Sequence, residues 1–231
     1  MRRTLKAWTK HLGLMETVRV RRAVDVAHRK GWPYCPGDEG DVLFLLARNA
    51  EDALEIGFAT GSTGAYILEG LGRGTLTSVD WRQDEYERAG EQLISRLGQS
   101  GRHRLLEADS ITVLPELYRQ GCRFGLVFLD GWKSFDRIWV DTFYSARMLK
   151  EHGFIMFDDA RMPAVRKCIR LLMRYYGFRL ADNYRLLGGW RLRAWHILSG
   201  RSLSRPYVVL EKALEITETD AGKRFDFWRR F

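Results

Sequence analysis

From residue 52 onward, short apolar runs alternate with longer stretches in which apolar residues recur every three or four positions. The runs are ALEIGF (53–58), TLTSVD (75–80), HRLLEAD (103–109), FGLVFLD (124–130) and GFIMFDD (153–159). Each is almost continuously apolar, as a strand must be when helices cover both faces of its sheet. Between them, 61–71, 83–98, 111–120 and 135–150 carry helical periodicity; in the last, Phe135, Ile138, Trp139, Thr142, Phe143, Ala146 and Leu149 share one face. This alternation predicts βα units, hence an α/β fold built on a parallel sheet. Four of the five runs end on an acid.

A further helix is predicted from Pro163 to Tyr176, with proline in its first turn and Arg166, Arg170 and Arg174 on its outer face. FRLADNYRL and PYVVLEK then predict two final strands, joined through the Gly-, Trp- and Arg-rich segment GGWRLRAWHILSGRSLSR. Residues 1–50 read as a helical N-terminal arm broken by GWPYCPGDEGD, placed to lie over the sheet edge or the site. The main domain is expected over 51–211 and a tail over 212–231.

Length and composition narrow the class. At 231 residues the chain suits one large domain. No stretch approaches the ~18 uninterrupted apolar residues of a membrane span, and the basic N-terminus lacks the apolar core and cleavage site of a secretion signal. Cys35, Cys122 and Cys168 lack CxxC spacing, which argues against a disulfide framework or zinc knuckle and suggests a reducing cytoplasm. The net charge of +9 divides into +5 over residues 1–40, −6 over 41–160 and +10 over 161–231. Such basic flanks suit a solvated face, nucleic acid, an anionic lipid surface or an acidic substrate.

In an open α/β sheet, ligands bind beyond the carboxyl ends of the strands. LEIGFATGSTG lies there: Glu55 closes the first strand, Gly57 and Gly61 permit a tight turn, and Ala59 stands where the GxGxxG fingerprint has glycine. Asp80 ends the next strand 23 residues past Gly57, where a carboxylate can accept from both ribose hydroxyls. Asp109 and Ser110 end the third strand within reach of an adenine edge. Trp81, beside Asp80, either stacks on the base or fills the core.

Together EIGFATGSTG, VDWRQD, EADSITVLPEL, LVFLDGWKSF and LKEHGFIMFDD resemble the class I S-adenosylmethionine-dependent methyltransferases over roughly residues 40–180. Asp130-Gly131-Trp132-Lys133 resembles the Asp-x-Trp-Lys segment of the catechol O-methyltransferases. DGWKSFDRIWVD followed by LKEHGFIMFDDA resembles the metal-dependent sugar and macrolide-sugar O-methyltransferases. The resemblance implies a Rossmann-like, seven-stranded, mostly parallel sheet whose last strand is antiparallel. It also implies S-adenosylmethionine as cofactor, held by Glu55, Gly57, Ala59, Gly61, Ser62, Asp80, Trp81, Asp109, Ser110 and Asp130.

Asp130 at the end of the fourth strand and Asp158-Asp159 at the end of the fifth would meet at one edge. That much negative charge calls for a cation, and hard oxygen ligands select Mg²⁺, Ca²⁺ or Mn²⁺. In the resembling families the matching positions hold such a metal, and the lysine matching Lys133 is the general base in the catechol enzymes. A lysine has an ordinary pKa near 10, so burial or the metal would have to lower it. The other roles open to these residues are an ion pair from Lys133 to Asp130 or Asp136, and capping of the following helix by Asp158-Asp159. Asp158-Asp159 replaces the Asp-Asn of the catechol enzymes, and Trp132-Lys133 stands where the sugar enzymes commonly offer a histidine, so the acceptor stays open.

The sequence thus predicts an O-methyltransferase assisted by a divalent metal, Mg²⁺ by first choice, acting on a hydroxyl of a small molecule or glycosyl group. An RNA methyltransferase and a nonenzymatic cofactor-binding module are the alternatives, and a homodimer remains open.

Overall fold

In the computed structural model, described over residues 16–81, 85–181 and 207–213, seven strands form a single sheet in the order β3-β2-β1-β4-β5-β7-β6. The strands are β1 (Asp52–Ile56), β2 (Thr75–Asp80), β3 (His103–Glu107), β4 (Phe124–Leu129), β5 (Leu149–Phe157), β6 (Phe178–Leu180) and β7 (Val208–Lys212). The first five run parallel, and β7 enters antiparallel between β5 and β6. The predicted α/β class and seven-stranded, mostly parallel sheet are therefore observed.

The helices are α1 (Thr17–Arg29), α2 (Gly37–Ala47), α3 (Ser62–Leu71), α4 (Glu85–Arg96), α5 (Ser110–Arg119), α6 (Phe135–Met148) and α7 (Pro163–Tyr175). Successive strand residues point to opposite faces, so near-continuous apolar runs feed two cores at once. In β4, Leu126 and Phe128 join the core built with α1 to α4, whereas Val127 and Leu129 join the one under α5, α6 and α7. Val20, Val24, Val42, Leu43 and Phe44 place α1 and α2 in the first core, beside β1 and α3. No described helix is long and apolar enough to cross a membrane.

Two local expectations shift. The β5 strand begins at Leu149, four residues before the apolar run at 153, because α6 ends at Met148 and passes straight into the sheet. The inward face of α6 is also turned: its buried residues are Ile138, Asp141, Thr142, Ser145, Ala146 and Met148, while Phe135 is 38% exposed. The aromatics instead lie along the flank of α6, where Trp139 and Phe143 meet at 6.3 Å and Trp139 reaches Tyr176. The segment expected to join the last two strands lies outside the described residues, as does the tail beyond 213.

Register brings the strand ends level. Ile56 pairs with Val79 and Leu129, and Leu129 with Phe157. Gly57, Asp80, Asp130 and Asp158 therefore emerge at one height, where the order reverses between β1 and β4. That reversal is where open sheets of this class leave a crevice.

Candidate functional site

A cavity of about 180 Å³ occupies the crevice, lined on one side by Gly57, Ala59, Asp80, Trp81, Asp109 and Ser110 and on the other by Asp130, Gly131, Trp132 and Arg137. The turn after β1 is shaped for close approach. A Cβ on Gly57 would stand 2.5 Å from the Asp130 carbonyl oxygen, so only glycine lets the β1 and β4 ends touch there. Ala59 adopts φ 42°, a left-handed conformation that costs a non-glycine residue about 1–3 kcal/mol. This is the position at which the dinucleotide fingerprint carries glycine, and the structure shows the backbone reason.

The acids on the β1–β3 side are satisfied by donors from the chain itself. Asp80 Oδ2 accepts from the backbone N–H of Phe58 and Ala59, at 2.8 and 3.0 Å, and so braces the glycine turn. Asp109 caps α5 by accepting from the Ile111 N–H and takes two bonds from Arg137, at 2.8 and 2.9 Å. Hydrogen bonding from Arg137 holds the Asp109 carboxyl below its ordinary range. Trp81 is 60% exposed at the cavity rim, so the core-filling alternative does not hold.

Three expected wall residues lie behind the wall. Glu55 is fully buried and accepts from the hydroxyls of Thr63 and Ser78, the latter at 2.6 Å. Burial pushes its carboxyl up to about 8, with both hydroxyls opposing. His103 Nε2 meets Ser78 Oγ at 3.0 Å, and burial lowers its ring to about 4. Ser62 Oγ accepts from the Cys35 N–H at 3.0 Å, and Gly61 packs against Phe58 and Gly90. These residues support the turn instead of facing the cavity, because β1 is a central strand and its last side chains are covered by α3.

The β4–β5 side is organised differently. One ligand atom from each of Asp130, Asp158 and Asp159 lies within 4.8 Å of the others. Asp158 is 3% exposed, and among the described residues its Oδ1 has no hydrogen-bond partner. Asp159 sits at φ 52°, a further left-handed residue, which turns the chain after β5. Lys133 Nζ donates to Asp130 Oδ1 at 2.9 Å. Burial raises the Asp130 carboxyl, Lys133 opposes it and the Asp158 charge adds to it. An unpartnered buried oxygen facing two further carboxylates is the donor set a hard divalent cation takes, so the residues fit such an ion.

The alternatives for these residues are resolved in part. Lys133 pairs with Asp130 and not with Asp136, whose carboxyl is held down by Ser134. Asp158 and Asp159 do not cap α7: its N-cap is Met162, with no side-chain cap. Sequence reasoning missed Pro33, Tyr86 and Arg137 on the cavity wall. Pro33 arrives because its carbonyl accepts from Thr60 Oγ1 at 2.6 Å, a contact between the segment before α2 and the glycine turn. No local pattern announces these neighbours, since each depends on which strand ends lie side by side.

A family model described as a methyltransferase domain matches residues 54–160. A protein of Mycobacterium sp. (strain KMS) named "Putative O-methyltransferase" is 29% identical over 153 residues, covering 58% of this chain. The match spans 66% of that relative's own length, just under two thirds. Among solved structures, the Bacillus cereus O-methyltransferase in complex with SAH aligns with a TM-score of 0.61 at 16% identity, over 77% of this chain and 91% of its own. The Streptomyces achromogenes O-methyltransferase TomG, involved in tomaymycin synthesis and solved with SAM, aligns with a TM-score of 0.57 at 18% identity, over 84% and 88%. The matched span runs from β1 to just past β5, so the likeness to methyltransferase domains takes in every strand end around the cavity.

Proposed function

We propose that the chain transfers the methyl group of S-adenosylmethionine to a hydroxyl of a small molecule or glycosyl group, with a divalent cation, Mg²⁺ by first choice, held by Asp130, Asp158 and Asp159. The observation that carries this reading is the carboxylate trio beside Lys133, at the end of a cavity whose other end offers ribose- and adenine-type contacts.

The residues divide the work by position. Asp80, with its Oδ2 on the glycine turn, takes the ribose hydroxyls. Gly57 and Ala59 supply close-lying backbone, Trp81 a stacking face, and Asp109 with Ser110 the adenine end. Glu55, Gly61 and Ser62 act from behind, fixing the turn. Bound there, the sulfonium of the cofactor supplies an electrophilic methyl group, and the ion supplies positive charge that lowers the acceptor hydroxyl's pKa. Lys133 Nζ takes the hydroxyl proton as the oxygen–carbon bond forms and the sulfur–carbon bond breaks. Its hydrogen bond to Asp130, one of the three clustered carboxylates, supports that role. Trp132 and Trp81, both exposed at the rim, are placed to shed water when substrates fill the cleft.

The test is turnover of S-adenosylmethionine with panels of catechol and glycoside acceptors, in Mg²⁺ and in EDTA. Release of S-adenosylhomocysteine in Mg²⁺, abolished by EDTA and restored by Mg²⁺ or Mn²⁺, is expected. Full activity in EDTA would remove the metal from the mechanism. Salt-sensitive retention of RNA with methylation of it would favour the nucleic-acid alternative, and cofactor binding without turnover on any acceptor the nonenzymatic one.

A further inference from the structure

Asp141 is an acid where α6 should be apolar. It is 1% exposed, and among the described residues its Oδ1 has no hydrogen-bond partner. An unsatisfied buried acceptor is destabilising, and more so when charged. An amide or apolar residue of similar size would therefore suit the fold better. Proteins keep such locally unfavourable residues chiefly where function needs them.

Its neighbours indicate the need. A Cβ on Gly131 would lie 3.3 Å from Asp141 Oδ2 and 3.0 Å from Ile56 Cγ2, so the turn leading from Asp130 to Lys133 is wedged between β1 and this carboxylate. On its other side lies the Ser110 hydroxyl, near enough to pull the same carboxylate's pKa down. Burial pushes the Asp141 carboxyl up to about 6, while Ser110, Lys133 and Arg137 pull it down. Ser110, Gly131 and Arg137 line the cavity, whereas Asp141 stands one layer behind them.

We propose that Asp141 is a positioning residue, holding Ser110 at the cofactor end and the Gly131–Lys133 turn at the reacting end in one register. The inference rests on the cofactor assignment above. The two anchored segments follow different strands, β3 and β4, and β2 and β1 stand between those strands. A side chain from α6 that packs against Gly131 and faces Ser110 sets their spacing directly, where the sheet alone would set it through four strands.

The probe is S-adenosylhomocysteine, titrated calorimetrically into the full chain, with melting temperature measured in parallel. Asp141→Asn keeps the shape but changes the hydrogen-bonding of one position. It is expected to melt at or above the wild-type temperature while binding S-adenosylhomocysteine about 5- to 30-fold more weakly, the equivalent of one or two lost hydrogen bonds. Ser110→Ala should weaken binding similarly, and the double substitution should lose no more than the larger single loss, since both act through one contact. Unchanged affinity in folded Asp141→Asn, losses that add, or a loss that appears only with a lowered melting temperature would each overturn the proposal. Asp141→Ser is read by the same criteria if Asp141→Asn does not fold, and failure of both to fold also overturns it, because the side chain is then structural. Absence of binding by the wild-type chain would instead sink the cofactor assignment.

Discussion

The two halves of the cleft treat carboxylates in opposite ways. On the β1–β3 side, Asp80 accepts two backbone N–H groups and Asp109 two guanidinium bonds and a cap. On the β4–β5 side, one oxygen each of Asp130, Asp158 and Asp159 lies within 4.8 Å of the others, Lys133 bonds Asp130, and among the described residues one buried Asp158 oxygen has no partner. The first half is completed by its own fold and needs a ligand only to use it. The second half crowds like charges together, the donor set that a hard cation fits.

The sharpest way to break this contrast is at Lys133. Positioned proton transfer contributes about 10²- to 10⁴-fold in rate, so Lys133→Ala should lower kcat by that order with cofactor affinity nearly intact. Lys133→Arg should restore little, because a guanidinium cannot accept the proton. Rescue by arginine, seen in steady-state kinetics, would reduce Lys133 to a counter-charge for the acids.

A smaller effect separates the halves by sign. Asp80→Ala should weaken S-adenosylhomocysteine binding by about 10- to 150-fold, the value of 1.5–3 kcal/mol in charge-assisted bonds. In EDTA, Asp80→Asn should lower the melting temperature while Asp158→Asn raises it, each by about 2–4 °C, one for every ~1 kcal/mol. The first loses an acceptor its donors use, and the second relieves repulsion. If both substitutions destabilise in a thermal scan without metal, the β4–β5 acids are ordinary structural groups.

The smallest effect concerns Glu55. Its folded carboxyl lies at about 8 against an ordinary 4.5, so the folded state binds the extra proton and this contribution to stability falls as pH rises from 4.5 towards 8. His103, lowered from 6.5 to about 4, works in the opposite direction, its contribution falling as pH drops through that window. Above pH 6.5 the Glu55 contribution therefore acts without opposition from His103. Urea midpoints of the metal-free chain should decline between pH 6.5 and 8, and Glu55→Gln should flatten that decline. An unchanged slope in the variant would place the titration elsewhere.

The sequence by itself determined the class of the fold and the acids at its strand ends. Apolar runs of strand length alternating with helical periodicity have few other solutions, and Asp80, Asp130 and Asp158 follow from a strand ending where its apolar run ends. Glu55 was legible as a strand-end acid but not as a buried one, because local spacing does not say that α3 will cover it. Arg137 and Asp141 were invisible for a related reason. An acid at position 141 reads as the solvent face of α6, and only the packing of that helix against β4 and α5 turns it inward, beneath Gly131 and beside Ser110. Periodicity reports which residues share a face. Which face meets which neighbour, and so which charged group the fold itself satisfies, is decided by strand order and register in three dimensions.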